Sequence, residues 1–214
     1  MRRSAGQLRQ AWRGDSIRTS PGALAELVSD FDRTAFGRPR QITVDHDTDY
    51  AGVMGALVTF VTVDPLWYGL EQSTEVALAP TIEGGLEAPF VAPLTLASEV
   101  VSEGVVRVGG EVSTPIRLTI HGPIVNPVAT LGPLTFELLG ALAYDESVTI
   151  SSWPWRRTVL NALGGSAATM LSRRSTLLTE ARLEPGAHAF ALRGQSDLGT
   201  ARASLSWRDA FTTP

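Results

Sequence analysis

Three histidines, His46, His121 and His188, bound the acid–base chemistry open to this chain, and it contains no cysteine. A thiolate nucleophile, a thiolate metal site and a disulfide are therefore excluded, while the compartment is left open. Ligand-type residues are densest in "VDHDTDY" (44–50), where Asp45, His46, Asp47 and Asp49 fall within five positions. On a strand the three aspartates share one face and His46 points to the other. A Ca²⁺ loop needs its glycine turn and a later bidentate glutamate, and neither stands at the required spacing. The stretch reads as a solvated acidic turn. There is no G-x-S-x-G elbow and no H-E-x-x-H helix, and Gly109-Gly110 and Gly164-Gly165 lack the Gly-Lys-Ser/Thr ending of a phosphate loop. A carboxylate pair for glycoside hydrolysis leaves no mark in a sequence, because its separation is set in three dimensions. The expectation is a protein that is no enzyme and has no cofactor and no metal site.

Aromatic side chains offer a second kind of chemistry. In "VTFVTVDPLWYG" (58–69) a β-branched run enters Asp64-Pro65 and then Trp67-Tyr68, which fits a ligand-binding lip or a seam between two domains. Trp153-Pro154-Trp155 and Trp67-Tyr68 have the residue types of a sugar-stacking platform. A ring just past a strand more commonly packs on the core edge with its polar tip in water.

Charge is unevenly distributed. All 18 basic residues are arginine; residues 1–40 hold eight of them against four acids, 41–106 none against ten, and 107–214 ten against eight. These sum to the net −4 of the chain. An acidic middle argues against nucleic-acid binding, which needs a basic face. No apolar run approaches the ~18 to 20 residues of a membrane span, and "MRRSAGQLRQAWRG" lacks a signal-peptide core. The expectation is a soluble chain with no membrane insertion and no export segment.

These residues need elements to hold them. Ser4–Trp12 and Pro21–Phe31 read as short helices, the second with Ser20 as N-cap and Leu24, Leu27, Val28 and Phe31 at helical spacing. Beyond "GRPRQ" the pattern turns to short strands between Gly, Pro, Asp and Asn, at 41–45, 53–63, 74–79, 104–109, 115–121, 126–131, 133–139, 147–151, 157–160, 177–183, 187–193 and 199–207. Residues 162–171 read as a loop or one helical turn. This is the signal of a β-sandwich or a partly closed barrel. "LAPTIEGGLEAPFVAPLT" carries three prolines and no period, so it reads as an extended connection, a linker between domains or a long loop in one sandwich. "HGPIVNP" (121–127) and "EPGAH" (184–188) are turn signals, the first with Asn126 bonding its own backbone, the second with Pro185-Gly186 suited to a type II turn.

The ordered pieces "AWRGDSIRTSPGALAEL…GRPRQI", "TFVTVDPLWYG", "VRVGGEVSTPIRLTIHGPIVNPVATL", "VTISSWPWRRTVL", "RLEPGAHAFALRG" and "ASLSWRDAF" resemble, over roughly residues 11 to 212, the distal tail or minor tail proteins of long-tailed (siphovirus-type) bacteriophages, those of actinobacteriophages above all. The resemblance implies a mainly β protein: an N-terminal α+β ring-type (belt-like) domain at 1–80, a proline-rich linker at 81–95 and a C-terminal galectin-like antiparallel β-sandwich at 96–214. Members carry further strands before the first helix, whereas this sequence starts close to "LRQAWRG", so the implied ring domain is compact or incomplete.

In such a family the implied role is structural. A homo-oligomeric, six-fold ring at the distal end of the tail in the virion would join the tail tube protein and the tape-measure protein to the tail-tip hub protein. On this reading Asp64, Pro65, Trp67 and Tyr68 form the interdomain seam, and Asp45, Asp47 and Asp49 are subunit-contact acids facing arginines of a neighbour. The alternative is a carbohydrate-binding β-sandwich that meets a host glycan; a galectin-like sandwich hosts either role.

Overall fold

In the computed structural model residues 2–44, 55–79, 104–196 and 198–214 are described. They are mainly strand, as the alternation predicts, and fall into two compact units: residues 1–70 with 210–214, and residues 71–209. The division lies between Leu70 and Glu71, before residue 80 where the sequence reading ends the first domain. The proline-rich stretch 81–95 lies outside the described residues.

The first unit opens with two helices, α1 (Arg2–Arg13) and α2 (Asp15–Thr19). Gly14 joins them at φ 55°, a left-handed conformation that glycine adopts without a Cβ clash. Four strands follow: β1 (Ala25–Val28), β2 (Thr34–Val44), β3 (Ala56–Thr62) and the start of β4 (Trp67–Ala77). The helix expected over 21–31 is absent. Its residues form β1, which runs antiparallel to Thr34–Gly37 of β2, and its supposed apolar stripe is split, with Leu24 and Leu27 half-buried but Val28 58 % and Phe31 77 % exposed. An eleven-residue segment is marginal as a helix without a face to bury, and here a hairpin closes instead: Ser29 N–H donates to the Arg33 carbonyl at 2.8 Å, with Asp32 at φ 57°.

"GRPRQ" is likewise not a break. Gly37 to Gln41 lie within β2, and the proline is absorbed by a register shift between Pro39 and Ile42 against β3. Pro39 has no N–H to give to a ladder, and an irregularity at that point is how a strand accommodates one. Trp12 of α1 meets Phe60 of β3 edge-on, with ring centroids 6.2 Å apart.

The second unit is a two-sheet sandwich. Its strands are the remainder of β4, β5 (Gly104–Val108), β6 (Thr114–His121), β7 (Ile124–Leu131), β8 (Leu134–Glu137), β9 (Ala141–Leu142), β10 (Ser147–Trp153), β11 (Arg156–Asn161), β12 (Arg182–Leu183), β13 (Gly186–Gln195) and β14 (Arg202–Phe211). One sheet runs β4-β14-β6-β10-β11 with β12 beside β6, and the other runs β5-β13-β7-β8 with β9 beside β7. Alternate residues of both sheets turn inward: Ile116, Leu118 and Ile120 from β6 face a common core with Leu131, Phe136 and Phe190 from the opposite sheet. All six are essentially solvent-free, and their burial is the main force holding the two sheets together.

Three local expectations change. The reversal in "HGPIVNP" occurs at Gly122-Pro123, so Asn126 and Pro127 stand within β7. Asn126, at φ 47°, accepts the Gly140 N–H at 2.8 Å instead of closing its own turn. The strand expected at 177–183 shrinks to β12. Upstream of it, Ser175 and Thr176 take over the edge of β8, their hydroxyls accepting the Glu137 and Thr135 N–H groups at 2.9 and 3.0 Å. Side-chain oxygens thus satisfy an edge that a ladder would otherwise serve.

Candidate functional site

Asp64 and Pro65 turn the chain from β3 into β4. The Asp64 carboxylate accepts the Leu66 N–H at 2.9 Å, the Asx arrangement that makes aspartate a turn former, and the residue is buried at 8 % exposure. Tyr68 is fully buried, opposite Thr34 on β2, with its ring 5.8 Å from that of Phe36. Trp67 points to the other face and is half-buried. The pair therefore does not present two rings to one ligand, which removes the lip reading of this stretch. All four residues belong to the first unit, just ahead of its boundary at Leu70. Asp45, Asp47 and Asp49, with His46, lie outside the described residues.

The second aromatic motif closes the β10–β11 hairpin. Trp153 and Trp155 lie 5.0 Å apart at 40°, but Trp153 is 8 % exposed, so it offers no flat exposed ring pair. His188 sits on β13 with its Nε2 2.7 Å from the Glu184 carbonyl oxygen. A Cβ added to Gly132 would come within 2.6 Å of its ring. The imidazole fills a corner that only glycine leaves open.

His121 belongs to a cluster that spacing did not reveal, because its members come from three strands. The Ser204 hydroxyl on β14 donates to Glu75 of β4 at 3.1 Å and lies 3.4 Å from His121 Nε2. Arg202 pairs with the same glutamate at 3.4 Å. Burial, then the nearby Arg202 charge, lower the His121 pKa from its usual 6.5, with Glu75 opposing. In a hydrolytic triad the carboxylate orients the histidine. Here it holds the serine, so the arrangement has the residue types of a triad without its connectivity. Among the described residues no group of three or more His, Cys, Asp or Glu stands close enough to hold a metal.

Among the described residues of the second unit, two concavities stand out. A cleft of about 450 Å³ opens between the β9–β10 turn and the Asn161–Met170 segment, with Asp145, Glu146 and Asn161 in its wall. Glu146 is already committed to the Ala143 N–H at 2.8 Å, and the Asn161 side-chain oxygen to Leu163 and Gly165 at 3.1 and 2.8 Å. A groove of about 310 Å³ runs over the outer face of β6, β10 and β11. Its registers set Arg117 opposite Ser151, Ser151 opposite Thr158, and Thr119 opposite Thr149. The Thr119 and Thr149 hydroxyls are 3.0 Å apart.

No family model and no curated protein matches the sequence. Among solved structures the chain is similar to the Dit protein of phage SPP1, described as a paradigm of the hub adsorption apparatus in phages that infect Gram-positive bacteria. The TM-score is 0.55 at 13 % identity, over 95 % of this chain and 72 % of that one. A similarity to the phage P2 baseplate in its activated conformation with Ca has a TM-score of 0.45 at 12 % identity, over 86 % and 67 % of the two chains, too low for a shared fold to be argued from it. The likeness to Dit is one of fold.

Proposed function

We propose that the protein is a structural component of a phage tail tip, located in the virion at the distal end of the tail. Its first unit self-associates into a ring of six copies, and the ring joins the tail tube and tape-measure proteins to the tail-tip hub, in the manner of the distal tail and minor tail proteins of actinobacteriophages. The second unit is the galectin-like module of that assembly. The protein acts as scaffold and not as an enzyme. Asp64, Pro65, Trp67 and Tyr68 mark the turn after which the chain leaves the ring unit, and the acidic 45–49 stretch faces arginines of a neighbouring subunit.

The observation that carries this reading is the state of β3. It pairs with β2 on one side, yet Leu57 is 76 %, Val58 41 % and Val61 47 % exposed, and Val63 just beyond it is 44 % exposed. Consecutive exposed residues mean that both faces of the strand are open, so the usual inward-outward alternation is missing. An apolar strand of this kind is unfavourable in a lone molecule and suits a subunit contact. The similarity to a phage hub protein supplies the class of assembly.

Light scattering and native mass spectrometry of the purified chain across a concentration series test the proposal. A closed species of six copies is expected, and Leu57→Asp with Val61→Asp should reduce it to monomer while the far-UV spectrum keeps its strand signal. A monomer at every concentration, or a ring indifferent to both substitutions, would overturn it.

A further inference from the structure

The outer groove of the second unit has a chemistry that the ring reading leaves unused. Its strand registers form two rows across the sheet. One runs Ser206, Arg117, Ser151, Thr158 and the next Ser204, Thr119, Thr149, Leu160, on β14, β6, β10 and β11 in turn. Hydroxyls therefore line the floor, and Arg117 and Arg156 stand exposed in the wall. No carboxylate lines the groove, and neither guanidinium makes a salt bridge or hydrogen bond among the described residues.

Ser151 is the second, independent observation. It is 3 % exposed, it lines the groove, and its hydroxyl has no hydrogen-bond partner among the described residues. Its neighbour Ser152, pointing inward, is fully partnered by the Ile116 backbone. Buried hydroxyls are nearly always satisfied, and one that is not calls for an explanation. Ser151 lies on the outer, groove face of β10 with Thr149, whereas Val148 and Ile150 of the opposite parity belong to the core. A donor on the groove floor, between a guanidinium on the adjacent strand and a threonine on the other side, is what an oxygen-rich anionic ligand would complete.

We propose that this groove is a binding site for an oxyanion-bearing polyol or saccharide, a phosphate or carboxylate group flanked by free hydroxyls. Arg117 and Arg156 hold the anion, Ser151 donates to it from the floor once the side chains over its hydroxyl give way, and Thr119, Thr149 and Thr158 meet the adjoining hydroxyls. With no exposed aromatic ring in the groove, a neutral sugar finds no stacking surface there, so the charge decides what binds. This inference does not depend on ring formation, since every residue in it belongs to one unit of one chain.

The test is titration of the ¹⁵N-labelled full chain, followed by amide shifts, with short poly(glycerol phosphate) as the phosphate probe, oligogalacturonate as the carboxylate probe and maltoheptaose as the neutral control. Saturable shifts at Thr119, Thr149, Ser151 and Thr158 with either anionic probe and none with the neutral sugar are expected, and which anion binds tighter identifies the source. Arg117→Gln and Ser151→Ala should each weaken that binding by about tenfold or more, as the loss of a charge-assisted or buried hydrogen bond does, and Ser151→Ala should do so without lowering the melting temperature. Equal binding of maltoheptaose, absence of shifts at these amides with both anions, or affinity unchanged by both substitutions would overturn the proposal.

Discussion

Ser151 and Ser152 are adjacent on β10, equally buried, and expected to respond in opposite directions to the same substitution. The Ser152 hydroxyl accepts the Ile116 N–H at 2.9 Å and donates to the Ile116 carbonyl at 3.3 Å. The β6–β10 ladder ends one step earlier, at Ser151 opposite Arg117, so this side chain stands in for the backbone pair that would come next. Ile116 is fully buried, and Ser152→Ala strands its N–H where water does not reach. An unsatisfied buried donor costs ~1–3 kcal/mol; with the longer second bond lost as well, the total is about 2–3 kcal/mol. For a protein of this size each kcal/mol moves the melting temperature by roughly 2–4 °C, giving a fall of about 4–12 °C. Ser151→Ala removes a hydroxyl that is already unpaired, so its effect should lie between neutral and a gain of about 1 kcal/mol. Urea unfolding of the two variants measures the difference; where the two units melt separately, the shift belongs to the transition of residues 71–209. A Ser152→Ala variant within about 0.5 kcal/mol of the parent, or a Ser151→Ala variant as damaged as Ser152→Ala, would refute the reasoning.

His121, with its pKa lowered by burial and by Arg202, binds a proton less readily folded than unfolded. Its contribution to stability is therefore present above 6.5 and is lost as pH falls from there through the folded value. The melting temperature should drop more between neutral and mildly acidic pH in the parent than in His121→Gln; equal drops would count against the assignment. Arg33 holds the end of the chain in the first unit, through a 2.9 Å bond from Nη1 to the Thr213 carbonyl and a guanidinium 3.8 Å above the Phe211 ring. At this exposed site the cation–π contact is worth about 0.5–1 kcal/mol, so Arg33→Ala should speed amide exchange at 211–213 and leave β10 unchanged. Exchange at 211–213 matching the parent would show that other contacts hold the terminus.

Most strands could be read from alternation because the sandwich buries one face of each sheet. "RLTIHG" and "RASLSW" place Arg117, Thr119, Ser204 and Ser206 on one face by parity alone, and the structure puts them there. Where pattern misled, a nonlocal partner decided. Leu24, Leu27, Val28 and Phe31 have helical spacing, but only pairing with β2 makes 25–28 a strand. Pro39 reads as a terminator until a register shift lets β2 pass through it. Asn126 reads as a turn residue, yet its partner is Gly140. The groove was legible in part: parity yields its residues, while the registers that set Arg117 beside Ser151 do not follow from any one strand. The Glu75, His121 and Ser204 cluster has no sequence signal, since three separate strands contribute one residue each.

The five residues 210–214 belong with the first unit although residues 71–209 make up the second. In chain order the second unit is thus an insertion, entered along β4 and left along β14. Synthesis from N- to C-terminus supplies everything the sandwich needs before Phe211 and Thr213 exist to meet Arg33. The first unit is therefore built from two separate stretches of chain, and the stretch that closes it, where Phe211 and Thr213 meet Arg33, is made after the whole of residues 71–209.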